Sequence, residues 1–183
     1  MTASPVSRHH QLLVVGGGNA GLSLAAQLLR ADHRLDVAIL EPSAKHHYQP
    51  AWTLVGGGAY DIKDTERAEA DYIPKGAKWL QDAAASFEPD ANTVVTASGQ
   101  RLSYDYLVVC TGIQLDWDKI KGAKEALGTN GVCSNYGYEP GPVYLGVREE
   151  LQGRHGPVFG PQHAHQVRRG AAENHVPGQR LLA

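Results

Sequence analysis

The sequence predicts an α/β domain on a parallel sheet with an inserted β-ribbon, and three observations carry that reading. A short apolar, partly β-branched run, Gln11 to Val15, stops at Gly16-Gly17-Gly18. Leu22 to Arg30 then carries apolar residues at helical spacing. A second apolar run of strand length, Leu35 to Leu40, ends at Glu41-Pro42. Strand, glycine turn, helix and strand in this order make a unit whose right-handed crossover leaves its strands parallel.

The later elements follow from punctuation. His46 to Gly58 reads as a loop holding an apolar segment, Ala51 to Val55, closed by three glycines. Lys78 to Ala85 and Thr93 to Ala97 read as short strands, with Glu88-Pro89-Asp90 turning between them and Ser98-Gly99-Gln100 as a second turn. Leu102 to Cys110 alternates and then becomes continuously apolar, as a strand entering a buried sheet does, and ends at Thr111-Gly112. Lys119 to Leu127 reads as a short helix.

Composition narrows the function classes. The 183 residues carry a formal net charge of −2, and basic and acidic residues are interspersed. A nucleic-acid binder would show a basic stripe instead, so no nucleic-acid partner is expected. No stretch approaches the roughly 20 apolar residues a spanning helix needs. Met1 to His10 lacks the apolar core of a secretory signal and is expected to be disordered. The two cysteines, Cys110 and Cys133, fit a reducing compartment. The expected location is cytoplasmic, with room for peripheral contact at the inner face of a membrane.

Gly16-Gly17-Gly18-Asn19-Ala20-Gly21 satisfies G-x-G-x-x-G in the context that gives the pattern meaning. It follows a strand, opens a helix, and is answered by Glu41 at the end of the next strand. Gly16 makes the tight turn, Gly18 lets the backbone approach a pyrophosphate, and Gly21 lets helix and strand pack closely. The helix N-terminus offers free N–H groups to phosphates, and Glu41 can accept hydrogen bonds from a ribose. The chemistry is dinucleotide binding on a Rossmann-like fold. The motif does not separate FAD from NAD. The strand closing at Cys110-Thr111-Gly112 does, because it resembles the "ATG" element of two-dinucleotide-domain flavoproteins, where the chain returns to the flavin after a β-ribbon.

His46-His47-Tyr48-Gln49-Pro50-Ala51-Trp52-Thr53-Leu54-Val55-Gly56-Gly57-Gly58 resembles the Y-Q-P-x-W-T-L-V-G loop of sulfide:quinone oxidoreductases of the mitochondrial and related bacterial type. Leu12 to Gly21, Thr111 to Gly122, and Gly131-Val132-Cys133-Ser134-Asn135-Tyr136 agree with the same family. The resemblance runs from about Gln11 to Tyr136 and implies a flavoprotein that oxidises sulfide and passes two electrons through FAD to a membrane quinone. It implies that Asn19 and Ala20 meet the pyrophosphate, Glu41 the adenosine ribose, and Gln49 the FAD. Ala84 would meet the adenine through its backbone, and Thr111 and Gly112 would close on the cofactor.

Persulfide chemistry requires a free thiolate and a second sulfur to resolve it. In the resembled family the first cysteine stands in a P-x-K-C-x-G-A-P-Q-K segment after S-N-Y, and that segment is missing here. Cys110, in an apolar strand, reads as a small buried hydrophobe. Cys133 is the remaining catalytic candidate and reads first as a structural residue, so no catalytic residue is assigned. A type II NADH:quinone oxidoreductase would need a second glycine turn, which the chain lacks. A non-catalytic FAD-binding fragment is the other alternative.

Beyond about Tyr138 the composition changes: Gly, Pro, His, Gln and Arg dominate, and Asp, Ile and Lys are absent from residues 144–183. Apart from a short helix around Val147 to Leu151, no period survives. The genetic code offers a reason. Tyr144-Leu145-Gly146-Val147 can be encoded so that a one-base shift reads Thr-Trp-Glu. His165-Gln166-Val167 shifts to Ile-Lys-Cys, and Glu173 to Pro177 allows Lys-Ile-Met-Tyr, in the order the resembled family carries. The organisation expected is therefore a disordered 1–10, an incomplete FAD-binding domain over 11–138, and an irregular, out-of-frame tail over 139–183, the chain being inactive alone. His155, His163, His165 and His175 match no metal-ligand spacing, so no metal is expected.

Overall fold

The computed structural model describes residues 7–138 and 144–147. In chain order the elements are β1 (Ser7–Val15), α1 (Asn19–Ala31), β2 (Val37–Leu40), β3 (Lys45–His47), α2 (Trp52–Gly56), β4 (Glu66–Ala68), β5 (Ala77–Leu80), β6 (Ala84–Glu88), β7 (Thr93–Thr96), β8 (Arg101–Val109) and α3 (Ala123–Ala126). Six strands form one sheet in the order β5-β2-β1-β8-β7-β6, and β3 and β4 form a small antiparallel pair. β5, β2, β1 and β8 run parallel, whereas β7 and β6 continue the sheet antiparallel. The sheet is thus mixed, with the expected parallel core and the expected ribbon fused into it.

Burial explains the layering. Residues of β1 that point to one face, Leu12 and Val14, pack with Val37 and Ile39 against Leu22, Ala25 and Leu29 of α1. Their neighbours Leu13 and Val15 point the other way, into a second cluster with Ala38, Leu40, Val94, Leu102 and Tyr104. A strand buried on both faces reads as a continuous apolar run, which is why β1 and β2 were legible.

Several expectations need correction. β1 begins at Ser7, so residues 7–10 are not a disordered extension. They continue the parallel ladder with β8, from Ser7 opposite Arg101 to His10 opposite Tyr104. Polar side chains concealed this: His10 is buried with Nδ1 3.1 Å from Asp36 Oδ2, and His9 Nδ1 lies 3.1 Å from Ser103 Oγ.

The run Lys78 to Ala85, expected as one strand, is two. Asp82 breaks it by accepting the Ala83 N–H at 2.8 Å and the Ser98 hydroxyl at 2.5 Å. β5 therefore stays beside β2, while β6 crosses to the far edge and hairpins with β7. The segment Ala51 to Val55 is helical rather than loop, because Trp52 and Val55 are buried and the Trp52 indole N–H donates to Thr65 Oγ1 at 3.1 Å. The helix expected over Lys119 to Leu127 contracts to Ala123–Ala126, after a 3-10 turn at Trp117–Lys119. Residues 144–147 are helical; the rest of the expected helix to Leu151, the four tail histidines and the remainder of the tail expected to be out of frame lie outside the described residues, as do residues 1–6.

Candidate dinucleotide site

The parallel strands all end on the same side, and there the chain leaves a cleft of about 430 Å³. Val15, Gly16 and Gly18 line it from the turn after β1, Leu40, Glu41 and Pro42 from the end of β2, Ala83 and Ala84 from the start of the ribbon, and Cys110, Thr111 and Gly112 from the end of β8. In open α/β sheets ligands bind at this carboxyl edge. A larger hollow of about 520 Å³ lies on the outer flank of α1 between Ser23, Gln27, Arg30 and Lys75. It touches neither the glycine turn nor a strand end, so the smaller cleft is the candidate.

The turn is built by exclusion. Gly16 has φ +109°, and a Cβ there would stand 2.3 Å from the carbonyl oxygen of Cys110, so both backbone conformation and space demand glycine. A Cβ on Gly21 would stand 2.0 Å from the Gly16 carbonyl oxygen, which is how closely α1 packs on the turn. At Gly18 nothing lies within 4 Å of a Cβ, so the backbone there faces open space, where a phosphate can approach. α1 starts just after it with no side-chain cap and no acidic residue in its first turn. Its free N–H groups and dipole are left for an anion.

Glu41 is held rather than loose. Its Oε2 accepts the Gly17 N–H at 2.8 Å and its Oε1 accepts the Ser43 N–H at 2.7 Å. The backbone under it is fixed by the Trp79 indole, which donates to the Glu41 carbonyl at 2.9 Å. Each carboxylate oxygen keeps a further lone pair for a hydroxyl.

Of the residues expected at the site, Gly16, Gly18, Glu41, Ala84, Thr111 and Gly112 line the cleft. Gly21 is buried behind the turn, and Asn19 and Ala20 form the exposed first turn of α1. The Asn19 side-chain oxygen is already engaged, 3.1 Å from His46 Nε2. Gln49 lies exposed in the 3-10 turn Gln49–Ala51 and is not among the lining residues.

The thiols differ from expectation. Cys110 is only partly buried and lines the cleft just beyond β8, its N–H donating to the Val15 carbonyl at 2.7 Å. Cys133 is not among the lining residues, and burial pushes its thiol pKa up, away from the thiolate that persulfide chemistry needs. Among the described residues no group of three or more His, Cys, Asp or Glu is placed to hold a metal ion. Nor is any described helix long and apolar enough to cross a membrane.

Three contributors escaped the sequence reading. Gly17 donates the N–H that aims Glu41, a backbone role that leaves no side-chain signature. Glu69 and His46 lie directly beneath the turn, both buried, with His46 Nδ1 3.2 Å from Glu69 Oε2. Burial raises the Glu69 pKa, and the negative charge of Glu41 adds to the rise while His46 opposes it. In the sequence Glu69 stands in a run of charged residues and alanines, Glu66 to Asp71, where nothing distinguishes it from a solvated glutamate.

The pyridine nucleotide-disulphide oxidoreductase family matches residues 10–139. The mitochondrial sulfide:quinone oxidoreductase of Dictyostelium discoideum is 53% identical over 133 residues, which are 70% of this chain and 29% of that protein. The X-ray structure of the sulfide:quinone oxidoreductase from the hyperthermophilic bacterium Aquifex aeolicus superposes with a TM-score of 0.64 at 28% identity, covering 82% of this chain and 33% of that one. NDH2 from Plasmodium falciparum, in complex with RYL-552, superposes with a TM-score of 0.52 at 15% identity over 85% of this chain and 32% of its own, a likeness of fold alone. The chain spans about three tenths of the length of the curated relative it matches. Glycine turn, ribbon and cleft thus agree with the comparisons: the chain belongs to the pyridine nucleotide-disulphide oxidoreductase family of flavoproteins, and within it is similar to sulfide:quinone oxidoreductases.

Proposed function

We propose that the chain is the FAD-binding part of a sulfide:quinone oxidoreductase. The observation that carries this reading is the cleft itself, in which an open Gly18 backbone and uncapped helix stand beside a Glu41 carboxylate aimed by two N–H groups. That pairing suits the pyrophosphate and ribose of a dinucleotide. Asn19 and Ala20 would hold the pyrophosphate, Glu41 the ribose, Ala84 the adenine, and Thr111 and Gly112 the flavin end, with Gln49 reaching it from the neighbouring turn. Bound there, FAD supplies a two-electron acceptor for sulfide sulfur and a donor for quinone. The protein's own share is to bind, orient and partly desolvate it.

Residues 11–138 are proposed as the FAD-binding unit and residues 139–183 as an out-of-frame tail. The family match supports that boundary by running to residue 139. The proposed setting is cytoplasmic, at the inner face of a membrane, with sulfide and quinone as reactants and no nucleic acid.

Titration of the purified chain with FAD, followed by quenching of flavin fluorescence, tests the binding reading. Saturable binding by the wild type, abolished by Gly18→Val, is expected. A wild type that leaves the flavin signal unchanged overturns it. Sulfide added to the loaded chain separates the readings further, because the fragment is expected not to bleach the flavin. Resequencing the DNA from the codon of Asn135 onward tests the tail: a changed base count that opens a Lys-Cys-x-Gly-Ala-Pro-Gln-Lys frame supports the shift, and an unchanged sequence removes it.

A further inference from the structure

Beneath the glycine turn the structure joins three polar side chains in one line. Glu69 is 1% exposed and His46 6% exposed, and both sit where α1, β2, β3 and the turn after β4 meet. His46 Nδ1 lies 3.2 Å from Glu69 Oε2, and its Nε2 lies 3.1 Å from Asn19 Oδ1. The Tyr72 ring stacks on the imidazole with centroids 4.9 Å apart, which fixes its plane. Glu69 Oε1 is buried without a hydrogen-bond partner among the described residues, and it points at the turn: a Cβ built on Gly17 would stand 2.5 Å from it.

Hydrogen-bond chemistry decides how Asn19 must face. An Asn carbonyl oxygen only accepts, so the imidazole must carry a proton on Nε2. Glu69 Oε2 and His46 Nδ1 need a proton between them as well, because two lone pairs at that distance repel. With Oδ1 of Asn19 facing Nε2 and Oε2 of Glu69 facing Nδ1, the arrangement calls for two protons, one between Glu69 and His46 and one between His46 and Asn19. With Oδ1 turned inward, the Asn19 amide NH₂ is left for the open end of α1. With one proton fewer, Nδ1–H would serve Glu69 and a bare Nε2 would call for the NH₂ group. Asn19 would then turn its oxygen toward an anionic ligand.

We propose that Glu69 and His46 are positioning residues for the dinucleotide, holding the Asn19 amide with its NH₂ toward the pyrophosphate. The inference rests on the dinucleotide reading of the cleft. Burial, which raises the Glu69 pKa, favours a proton on its carboxyl. The other groups facing the pair are Glu41 from the end of β2 and Tyr72 from the turn after β4. Arg67, opposite His46 in β4, turns its guanidinium to the carbonyls of Lys63 and Glu66 instead.

The test is a double-mutant cycle on FAD affinity, read by flavin fluorescence quenching, with thermal melting as the check on folding. Asn19→Ala and His46→Phe, the latter keeping a ring against Tyr72, are each expected to weaken binding about tenfold, the scale of one hydrogen bond to a charged group. The double variant is expected to bind no worse than Asn19→Ala alone, since His46 acts through Asn19. Wild-type affinity is also expected to fall as pH rises and the buried Glu69 gives up its proton, in a way that Asn19→Ala does not share.

Unchanged affinity in His46→Phe, or losses that add, overturn the inference while leaving the FAD reading intact. A wild type without affinity for FAD overturns both. Should His46→Phe not fold, the ¹⁵N signals of the wild-type imidazole decide: protonated Nε2 at neutral pH supports the arrangement, and bare Nε2 overturns it.

Discussion

The two halves of the main sheet solve the same problem by different means. In the parallel half, β1 and β2 bury both faces, and Val37, Ala38 and Ile39 have no exposed surface at all. A helix on one side and the ribbon on the other keep water away, so nearly any well-packed apolar residue serves. Among the described residues no helix covers the antiparallel half. In β6 only the two end residues are partly buried, and Phe87 is 44% exposed. Polar links at its margins take over: the Arg101 guanidinium pairs with the Glu88 carboxylate, and Asp82 takes the Ser98 N–H and hydroxyl. The candidate cleft lies on the seam, lined by strand ends of the first half and by Ala83 and Ala84 of the second. The first half supplies a floor buried on both faces, and the second a wall held by polar links.

The largest disruption should come from the tightest backbone contact of the parallel half. Gly21→Val puts a branched side chain against the Gly16 carbonyl and is expected to destabilise the fold by about 3 kcal/mol or more, with FAD binding lost together with it. Chemical denaturation and flavin titration read both. Ile39→Ala in β2 is expected to cost about 2–4 kcal/mol through lost transfer energy and an unfilled cavity. Phe87→Ala in β6 should cost under about 1 kcal/mol because its ring already meets water. Equal costs at these two positions would break the contrast.

A smaller effect concerns acid. Hydrogen bonds from Ser98 and Thr96 hold the Asp82 pKa down to about 2. A carboxyl lowered in the folded state stabilises above its unfolded pKa, near 3.8, and that stabilisation is lost as pH falls toward 2. Asp82→Asn should therefore abolish the part of the acid sensitivity that falls in that window and change little below it. Urea midpoints between pH 5 and about 2 measure the difference. Smallest of all should be Arg101→Ala, whose partner Glu88 stays solvated, so the melting midpoint should hardly move.

How much could be read beforehand followed the same seam. Within the runs Gln11 to Val15 and Leu35 to Leu40, Leu12 to Val15 and Val37 to Leu40 announced themselves, with the glycine turn, because two-sided burial and a phosphate turn each restrict residue type sharply. Glu41 was legible because its place at the end of the second strand is fixed by topology. Ser7 to His10 was missed since a ladder of backbone hydrogen bonds accepts polar side chains as readily as apolar ones. The break at Asp82 was missed because its cause is a contact with Ser98, which a run of sequence does not reveal. Glu69 was invisible for a related reason: only the fold brings it under His46 and Asn19. Gln49, carried over by resemblance, ends up on an exposed turn and is not among the residues that line the cleft.

The pairing of β1 with β8 has a consequence for how the chain is made. Strand β1 sits at the centre of the parallel half, yet its long ladder is with a strand that begins at Arg101, while α1 and β2 follow it at once. During synthesis the first unit, β1-α1-β2, can form early from local contacts. Its open side stays unpaired until the ribbon and β8 have emerged. Closing such a distant pair carries a loop-closure cost that local contacts do not, which slows folding. Leu13 and Val15 are solvent-exposed through that interval, and a nascent chain stalled there presents an unpaired apolar edge to its neighbours.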